Sequence, residues 1–570
     1  MASRRNGAQM LADALIGSGV QVVFGVPGDT SIAFYDALFE RRLDIRHVLA
    51  RDERAAASMA DGYARVTNRI GVVEASSGGG ATFLVGGLGE PYAASVPILV
   101  LTSDIHRSSR GSSAITEVDQ AVLFGAVTKW HRTVEHAADI PGLVRAAIEA
   151  ATTGRPGPVS LVLPEDVLDE AGDTSDQYQD LRIAADRPQS DWASVHATAE
   201  ALAAAQRPVV VAGSGVHLSQ AWAELALFSE QCGIPVSTTI HGKGAFPETS
   251  PLSLGVLGAN GARDYANTYV ASADWVLFIG TRANATDTNG YTSPPRDGEA
   301  YVAHIDVDPA RAGRNYPGSH VLLGDARSVL DQLISVAHCR NEARTASIIQ
   351  TIAGERTTWD GDQQYLTASY GLDPREIVTT LQKAARPESL VVADAGTPTP
   401  YLSAFWRCSY PGRSVLIPRG HGAMGFAIPA AIGAALARPG TPVLCLTTDG
   451  SFGMSCGELE TLQRLQLPIT VLHLTNGSFG WIKMLQRLYM EKRYFGVDFA
   501  HVDADTVAEG FGVHTLRVSS LAELQAAVRE SQVAGTPAFI DIAIAAEPDL
   551  MAPVPPWRAA LAGKAARPVY

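Results

Sequence analysis

The sequence predicts an α/β protein of three doubly wound domains, the first and third built on one plan and flanking a Rossmann-like middle domain. Three observations carry this. Apolar runs of strand length alternate with helical stretches along most of the chain, the pattern of parallel sheets joined by helical crossovers. With 570 residues the chain is too long for a single hydrophobic core. Two distant segments also read alike: Gly71–Gly80, a helix and Val96–Asp104 parallel Val443–Ser451, a helix and Leu467–Asn476.

The elements follow in order. The first domain, residues 1–170, carries strands at Val22–Val26, Gly71–Ala75, Ile98–Ser103 and Val159–Leu163. Val48–Leu49 reads as a short strand end, and a helix running to Arg65 begins at Glu53. The polar stretch Glu170–Asp191 reads as a linker. The second domain, 190–340, opens at Pro208–Ala212 and continues through Val236–Thr239, Trp275–Gly280 and Val302–Val307. A charged helical connection, Asn341–Asp362, leads to the third domain, 365–550, and 551–570 reads as a Pro-rich tail.

Composition excludes several classes. Hydrophobic residues make up 46% and charged residues 18%, with a net charge of −14. No basic stripe marks a nucleic-acid surface. The five cysteines, Cys232, Cys339, Cys408, Cys445 and Cys456, are scattered without a Cys-x-x-Cys and read as reduced thiols of a cytoplasmic protein. The N-terminus runs into an amphipathic helix without a signal-peptide core. No apolar run reaches membrane-spanning length, so no membrane partner is expected.

The most informative segment lies in the third domain. Leu444–Thr448 reads as a buried strand ending on Asp449-Gly450-Ser451, and Gly457–Leu465 as a helix with Leu459, Leu462 and Leu465 on one face. Leu467–Leu474 reads as the next strand, ending at Thr475-Asn476-Gly477-Ser478. This arrangement sets Asp449 and Asn476 side by side at the carboxyl ends of adjacent parallel strands, where open α/β sheets bind ligands. One carboxylate and one amide oxygen, with Gly450 and Ser451 opening a helix, suit Mg²⁺ carrying a diphosphate. That ion takes few protein oxygens and fills its shell with phosphate and water, and a helix N-terminus favours the anion. Polar residues end many α/β strands, so the segment needs independent support.

At these residues the chain resembles the thiamine diphosphate-dependent enzymes, whose metal motif runs Gly-Asp-Gly and, after a similar gap, Asn-Asn. Here Thr448-Asp449-Gly450 is followed after 24 residues by Thr475-Asn476. The resemblance implies that the Ser478 carbonyl is a third ligand to Mg²⁺. It places the diphosphate against Gly450, Ser451 and the loop Gly396-Thr397. In Gly420-His421-Gly422-Ala423-Met424-Gly425, it implies that Gly422 lets backbone approach the cofactor and that Met424 holds it bent. It also requires a first-domain carboxylic acid beside the aminopyrimidine ring. This falls on Glu53, after the turn Phe24-Gly25-Val26-Pro27-Gly28, whose Pro27 and Gly28 belong to the same pocket. The usual residue before this acid is His, and here it is Asp52.

Within that family, Gly154–Val159, Gly242–Pro247, Leu254–Gly261 and His304–Pro309 look most like the acetolactate synthase and pyruvate oxidase branch. The resemblance implies a 2-oxo acid substrate and an acetolactate synthase-like carboligase, or alternatively a simple 2-oxo acid decarboxylase. Several pocket positions depart from the synthases: Thr116 in the active-site loop, Glu165 where they carry Lys, Thr286 where they carry Arg, and Leu485 where they carry Trp. The missing Arg serves the acceptor's carboxylate, and a hydroxyl does not replace a guanidinium. His421 stands where the synthases carry an apolar residue and could handle protons. The branch also binds FAD in its middle domain. Gly213-Ser214-Gly215 opens a helix there, but the third glycine position is Leu218. FAD is therefore left open, in a non-redox role, with Arg155, Arg282, Asp306 and Asp325 as its neighbours by resemblance. A homodimer or homotetramer is implied in the same way, the acid coming from one subunit and the metal site from its partner.

Overall fold

The computed structural model describes residues 4–173, 187–337, 341–361, 371–545 and 552–563. Three six-stranded sheets dominate it, and within each one every neighbouring pair of strands is parallel. The first sheet takes, in chain order, Val22–Val26, Arg46–Leu49, Gly71–Ala75, Ile98–Asp104, His131–Thr133 and Val159–Pro164. In space these run second, first, third, fourth, sixth, fifth. The third sheet takes Leu390–Ala393, Val415–Leu416, Val443–Thr448, Ile469–Thr475, His514–Val518 and Ala538–Ala543 and has the same order. The repeat read from two sequence phrases therefore extends to the whole strand plan.

The middle sheet uses Pro208–Ala212, Val236–Thr238, Ser253–Val256, Trp275–Ile279, Tyr301–Asp306 and His320–Leu323. Its order, third, second, first, fourth, fifth, sixth, is that of a dinucleotide-binding fold, with a crevice where the order reverses. Central strands such as Val209–Val211 and Leu444–Leu446 are buried throughout, as parallel strands covered on both faces must be.

The outer domains share one core. Helix Glu53–Thr67 of the first domain packs on helix Ala427–Ala437 of the third. The approach is too close for side chains at two positions. A Cβ on Gly62 would collide with the Ala430 backbone, and one on Gly433 with that of Met59.

Two segments differ from the sequence reading. Ala171–Asp173, expected within a linker, is a strand paired antiparallel with Arg4–Asn6, its backbone bonds met by the chain's first strand. Residues 174–186 of the expected linker, and Cys339, lie outside the described residues. The expected tail contains helix Pro555–Leu561, whose Trp557 is buried against Trp481 with ring centroids 4.3 Å apart. An apolar indole outweighs the surrounding prolines. Among the described residues, no helix is long and apolar enough to cross a membrane.

Candidate active site at the strand switch points

In each outer sheet the strand order reverses between the first and third strands, and the residues singled out by sequence cluster at those carboxyl ends. In the third domain, strand Val443–Thr448 runs straight into helix Asp449–Ser455. The Asp449 carboxylate accepts the Thr475 hydroxyl at 2.7 Å, the Asn476 N–H at 2.9 Å and the Gly477 N–H at 3.2 Å. Asn476 Oδ1 accepts the Ser478 N–H at 3.2 Å and its hydroxyl at 3.1 Å. Adjacent strands thus bring Asp449, Asn476 and Ser478 into one loop junction. Thr475, an outlier from the expected Asn-Asn, orients Asp449.

The surroundings leave room for a ligand. Gly396, Gly422 and Gly477 have φ of +99°, +78° and +68°, and a Cβ at any of them would meet nothing within 4 Å. These are left-handed positions that open into free space. The Ser451 hydroxyl is buried without a partner, a donor that an anion would satisfy. Met424, 37% exposed, has its Cε 3.0 Å from where a Gly450 Cβ would stand. Thr397 is buried at the N-terminus of helix Pro398–Phe405. Among the described residues, no three His, Cys, Asp or Glu side chains cluster for a metal. The Asp449 set is of the other kind, one carboxylate with neutral oxygens, which fits a hard ion completed by phosphate.

Three more groups here were not singled out in the sequence. Asp394 accepts the N–H groups of Phe426 (2.8 Å) and Ala427 (3.1 Å) and the Thr447 hydroxyl (2.7 Å), tying the first strand's end to the start of helix Ala427–Ala437. His473 is buried beneath Asp449, bonded through Nδ1 to Asp541 at 2.8 Å, its Nε2 without a hydrogen bond and 3.9 Å from Asp449 Oδ1. Glu90 binds the Gly420–Gly422 loop from the first domain. The signal for each was a lone polar residue in an apolar run, which sequence alone does not distinguish from a surface residue.

In the first domain, Glu53 is the first residue of its helix, which Asp52 caps by accepting the Arg54 N–H at 2.7 Å. Burial lifts the Glu53 carboxyl above its ordinary range, and the Asp52 charge adds to this. Glu53 Oε1 and the Ser76 hydroxyl lie 3.2 and 2.8 Å from the point where a Gly80 Cβ would stand. Ser76 also crowds Gly28, while Pro27 is exposed. These contacts form a second set, on a different domain from the Asp449 set. His421 is exposed, its ring against Gly89.

Beside this set lies a carboxyl the sequence reading passed over. Glu74 is 2% exposed and accepts the Tyr35 hydroxyl at 2.6 Å; that hydroxyl lies 3.1 Å from His47 Nε2. Burial, with the nearby Glu53 charge, pushes the Glu74 carboxyl up to about 8. The folded chain keeps this proton up to about pH 8, whereas the unfolded chain releases it near the ordinary value of about 4.3. Across that window the unfolded state binds fewer protons, so the contribution of Glu74 to stability is full below it and is lost as pH rises through it. Glu74→Gln is expected to remove this slope. Melting temperatures of wild type and variant should diverge between pH 5 and 8, wild type falling faster; parallel curves would contradict an uncharged Glu74.

The middle domain has its own crevice. A cavity of about 800 Å³ opens where its strand order reverses, lined by Arg155, Ser214, Thr281, Arg282, Asp306 and Asp325. Burial pushes the Asp306 carboxyl up to about 6. Asp325 caps helix Ala326–Val336 and accepts the Ser219 hydroxyl at 2.7 Å.

Two similar switch-point domains around a dinucleotide-type domain define a cofactor-dependent enzyme of the thiamine class, and the comparisons agree. Family models match residues 5–123 (thiamine pyrophosphate enzyme, N-terminal TPP binding domain), 195–333 (central domain) and 394–542 (C-terminal TPP binding domain). The chain belongs to the thiamine pyrophosphate enzyme family. Its relatives include the probable acetolactate synthase large subunit of Methanocaldococcus jannaschii, 34% identical over 94% of this chain and 92% of that protein. The acetolactate synthase of Mycobacterium bovis is 34% identical, over 95% of this chain and 88% of its own. The acetolactate synthase isozyme 3 large subunit of Escherichia coli is 31% identical over 92% of each chain. The chain is acetolactate synthase-like along nearly its whole length.

Proposed function

We propose that the protein is a thiamine diphosphate- and Mg²⁺-dependent carboligase that decarboxylates a pyruvate-like 2-oxo acid and transfers the resulting acyl unit to a second carbonyl compound. The observation that carries this is the convergence of Asp449, Asn476 and Ser478 beside an open glycine cradle and the unpartnered Ser451 hydroxyl. When bound, the cofactor supplies a nucleophilic carbon that adds to the 2-oxo acid and stabilises the charge left after CO₂ departs.

The side chains take the following parts. Asp449, Asn476 and the Ser478 carbonyl would hold Mg²⁺, and Gly450, Ser451, Gly396 and Thr397 would receive the diphosphate, whose charge the ion would offset. Gly422 would let the loop backbone approach the cofactor, and Met424 would hold it bent. Glu53, a carboxyl whose proton is held more tightly than usual, exchanges a proton with the aminopyrimidine ring; Pro27 and Gly28 wall that ring. As the family resemblance implies, the Glu53 set of one subunit faces the Asp449 set of its partner, so the minimal unit is a homodimer. His421, exposed beside the loop, serves proton transfer to the reacting acyl unit. The middle-domain cavity would accept FAD in a non-redox role, since its size, switch-point position and lining Arg155 and Arg282 suit a dinucleotide.

A second reading, release of an aldehyde without transfer, is favoured by Thr286 and Leu485, which stand where the synthases carry Arg and Trp. Purified protein with Mg²⁺, thiamine diphosphate and a panel of 2-oxo acids beginning with pyruvate separates the two by mass spectrometry. An acetolactate-type product is expected; an aldehyde alone would establish the decarboxylase, and no turnover across the panel would overturn both.

A further inference from the structure

Glu90 lies in helix Gly79–Ala94 of the first domain and is buried. Its Oε1 accepts the Gly420 N–H at 3.0 Å, and its Oε2 accepts those of His421 at 2.6 Å and Gly422 at 3.2 Å. Three successive backbone donors thus converge on one carboxylate, just ahead of Met424. The same carboxylate pairs with Arg65 at 3.1 Å and lies 3.6 Å from His241 of the middle domain. Burial alone would push the Glu90 carboxyl up; His241, Arg65 and the loop N–H outweigh it and hold it well below the usual range.

Arg65, His241 and Arg413 also line the middle-domain cavity. Arg413 is buried, and its hydrogen-bond acceptor among the described residues is the Ser214 carbonyl at 3.5 Å. Arg413 and Arg65 thus line one cavity; burial, and after it the Arg65 charge, weakens the hold of Arg413 on its proton, while Asp61, itself paired with Arg65, strengthens it.

We propose that Glu90 is a positioning residue that couples this cavity to the cofactor loop. An anionic ligand in the cavity offsets the Arg413 charge, which leaves Arg65 settled on Glu90 and Glu90 settled on the three loop donors. Charges so poorly solvated act strongly on one another. The coupling is reciprocal by linkage, so a diphosphate ligand in the cavity tightens thiamine diphosphate binding at the loop. This rests on the dinucleotide reading of the cavity given above.

The test measures the dissociation constant of thiamine diphosphate with Mg²⁺ on nucleotide-stripped protein, alone and with saturating FAD or ADP. Wild type is expected to bind at least about fivefold more tightly with the second ligand present. Glu90→Gln sets an amide N–H against the converging donors, so it should bind the cofactor about tenfold more weakly, with FAD or ADP making no difference. Glu90→Asp keeps the charge that neutralises Arg65 but falls a methylene short of the loop. It should fold by circular dichroism and lose the coupling as well. FAD or ADP binding that leaves the wild-type constant unchanged would overturn the coupling alone. Failure of both to bind would overturn the dinucleotide reading together with it. Coupling that persists in both variants would remove Glu90 from the path.

Discussion

Glu53→Gln is expected to lower turnover by about two to four orders of magnitude, the range for a positioned acid–base group, while cofactor affinity changes little. Gln keeps the length and the acceptor oxygen of Glu53 but cannot exchange a proton. The fold should survive the change. Glu53 is half-buried at the first turn of a helix already capped by Asp52, and a first-turn carboxylate contributes only about 0.3–1 kcal/mol through the helix dipole. Removing the neighbouring charge should not imitate the effect. The Asp52 carboxylate is held by Arg54, with Oδ2 to Nη2 at 2.9 Å, and is already paired. The measurement is kcat alongside an equilibrium titration of the cofactor with Mg²⁺. Activity within tenfold of wild type would remove Glu53 from the chemistry. Weak cofactor binding with normal kcat at saturation would recast it as a binding residue.

Much of the architecture behind this prediction was legible in the sequence because parallel strands covered on both faces read as uninterrupted apolar runs. Val22–Val26, Gly71–Ala75 and Pro208–Ala212 were located to the residue. Of the strands passed over, His131–Thr133 and His514–Val518 are half-exposed and Val415–Leu416 is only two residues long, whereas Ala538–Ala543 is buried and was missed despite its apolar run. The matching strand order of the outer sheets could not be read, because it depends on which strands pair. The metal-type loop was legible because its residues are close in sequence or one crossover apart. Glu90 was not: its partners Gly420–Gly422 lie 330–332 residues away, and a lone carboxylate in a small-residue helix carries no periodic signal. Glu74 was hidden likewise, its meaning lying in Tyr35 and burial. Trp557 shows the opposite error, since a Pro-rich setting concealed an anchor packed on Trp481.

Asp449→Ala is expected to abolish Mg²⁺-dependent cofactor binding, raising the dissociation constant by at least about a hundredfold, beyond the 10–100-fold typical of outer partners of a metal site. Asp449 supplies the only charged oxygen of the proposed set, since Asn476 and Ser478 contribute neutral ones. Without it, Mg²⁺ cannot offset the diphosphate charge at the loop. The change also strips acceptors from the part-buried Thr475, Asn476 and Gly477, each hydrogen bond lost costing about 0.5–1.5 kcal/mol. Some loss of stability is therefore expected irrespective of any metal. Thr475→Val separates the two effects. It removes one hydroxyl from Asp449 while keeping the carboxylate, so it should lower stability slightly and leave the Mg²⁺ dependence intact. Thermal denaturation then gives the decisive comparison. A ligand at a hundred times its dissociation constant stabilises the folded state by about 2.7 kcal/mol, so wild type and Thr475→Val should melt higher with thiamine diphosphate and Mg²⁺ together. Asp449→Ala should melt at the same temperature with or without them. A ligand-induced rise in Asp449→Ala equal to that of wild type would refute the metal assignment, because the nearby Asp394 carboxylate is already engaged by the Phe426 and Ala427 N–H groups and the Thr447 hydroxyl.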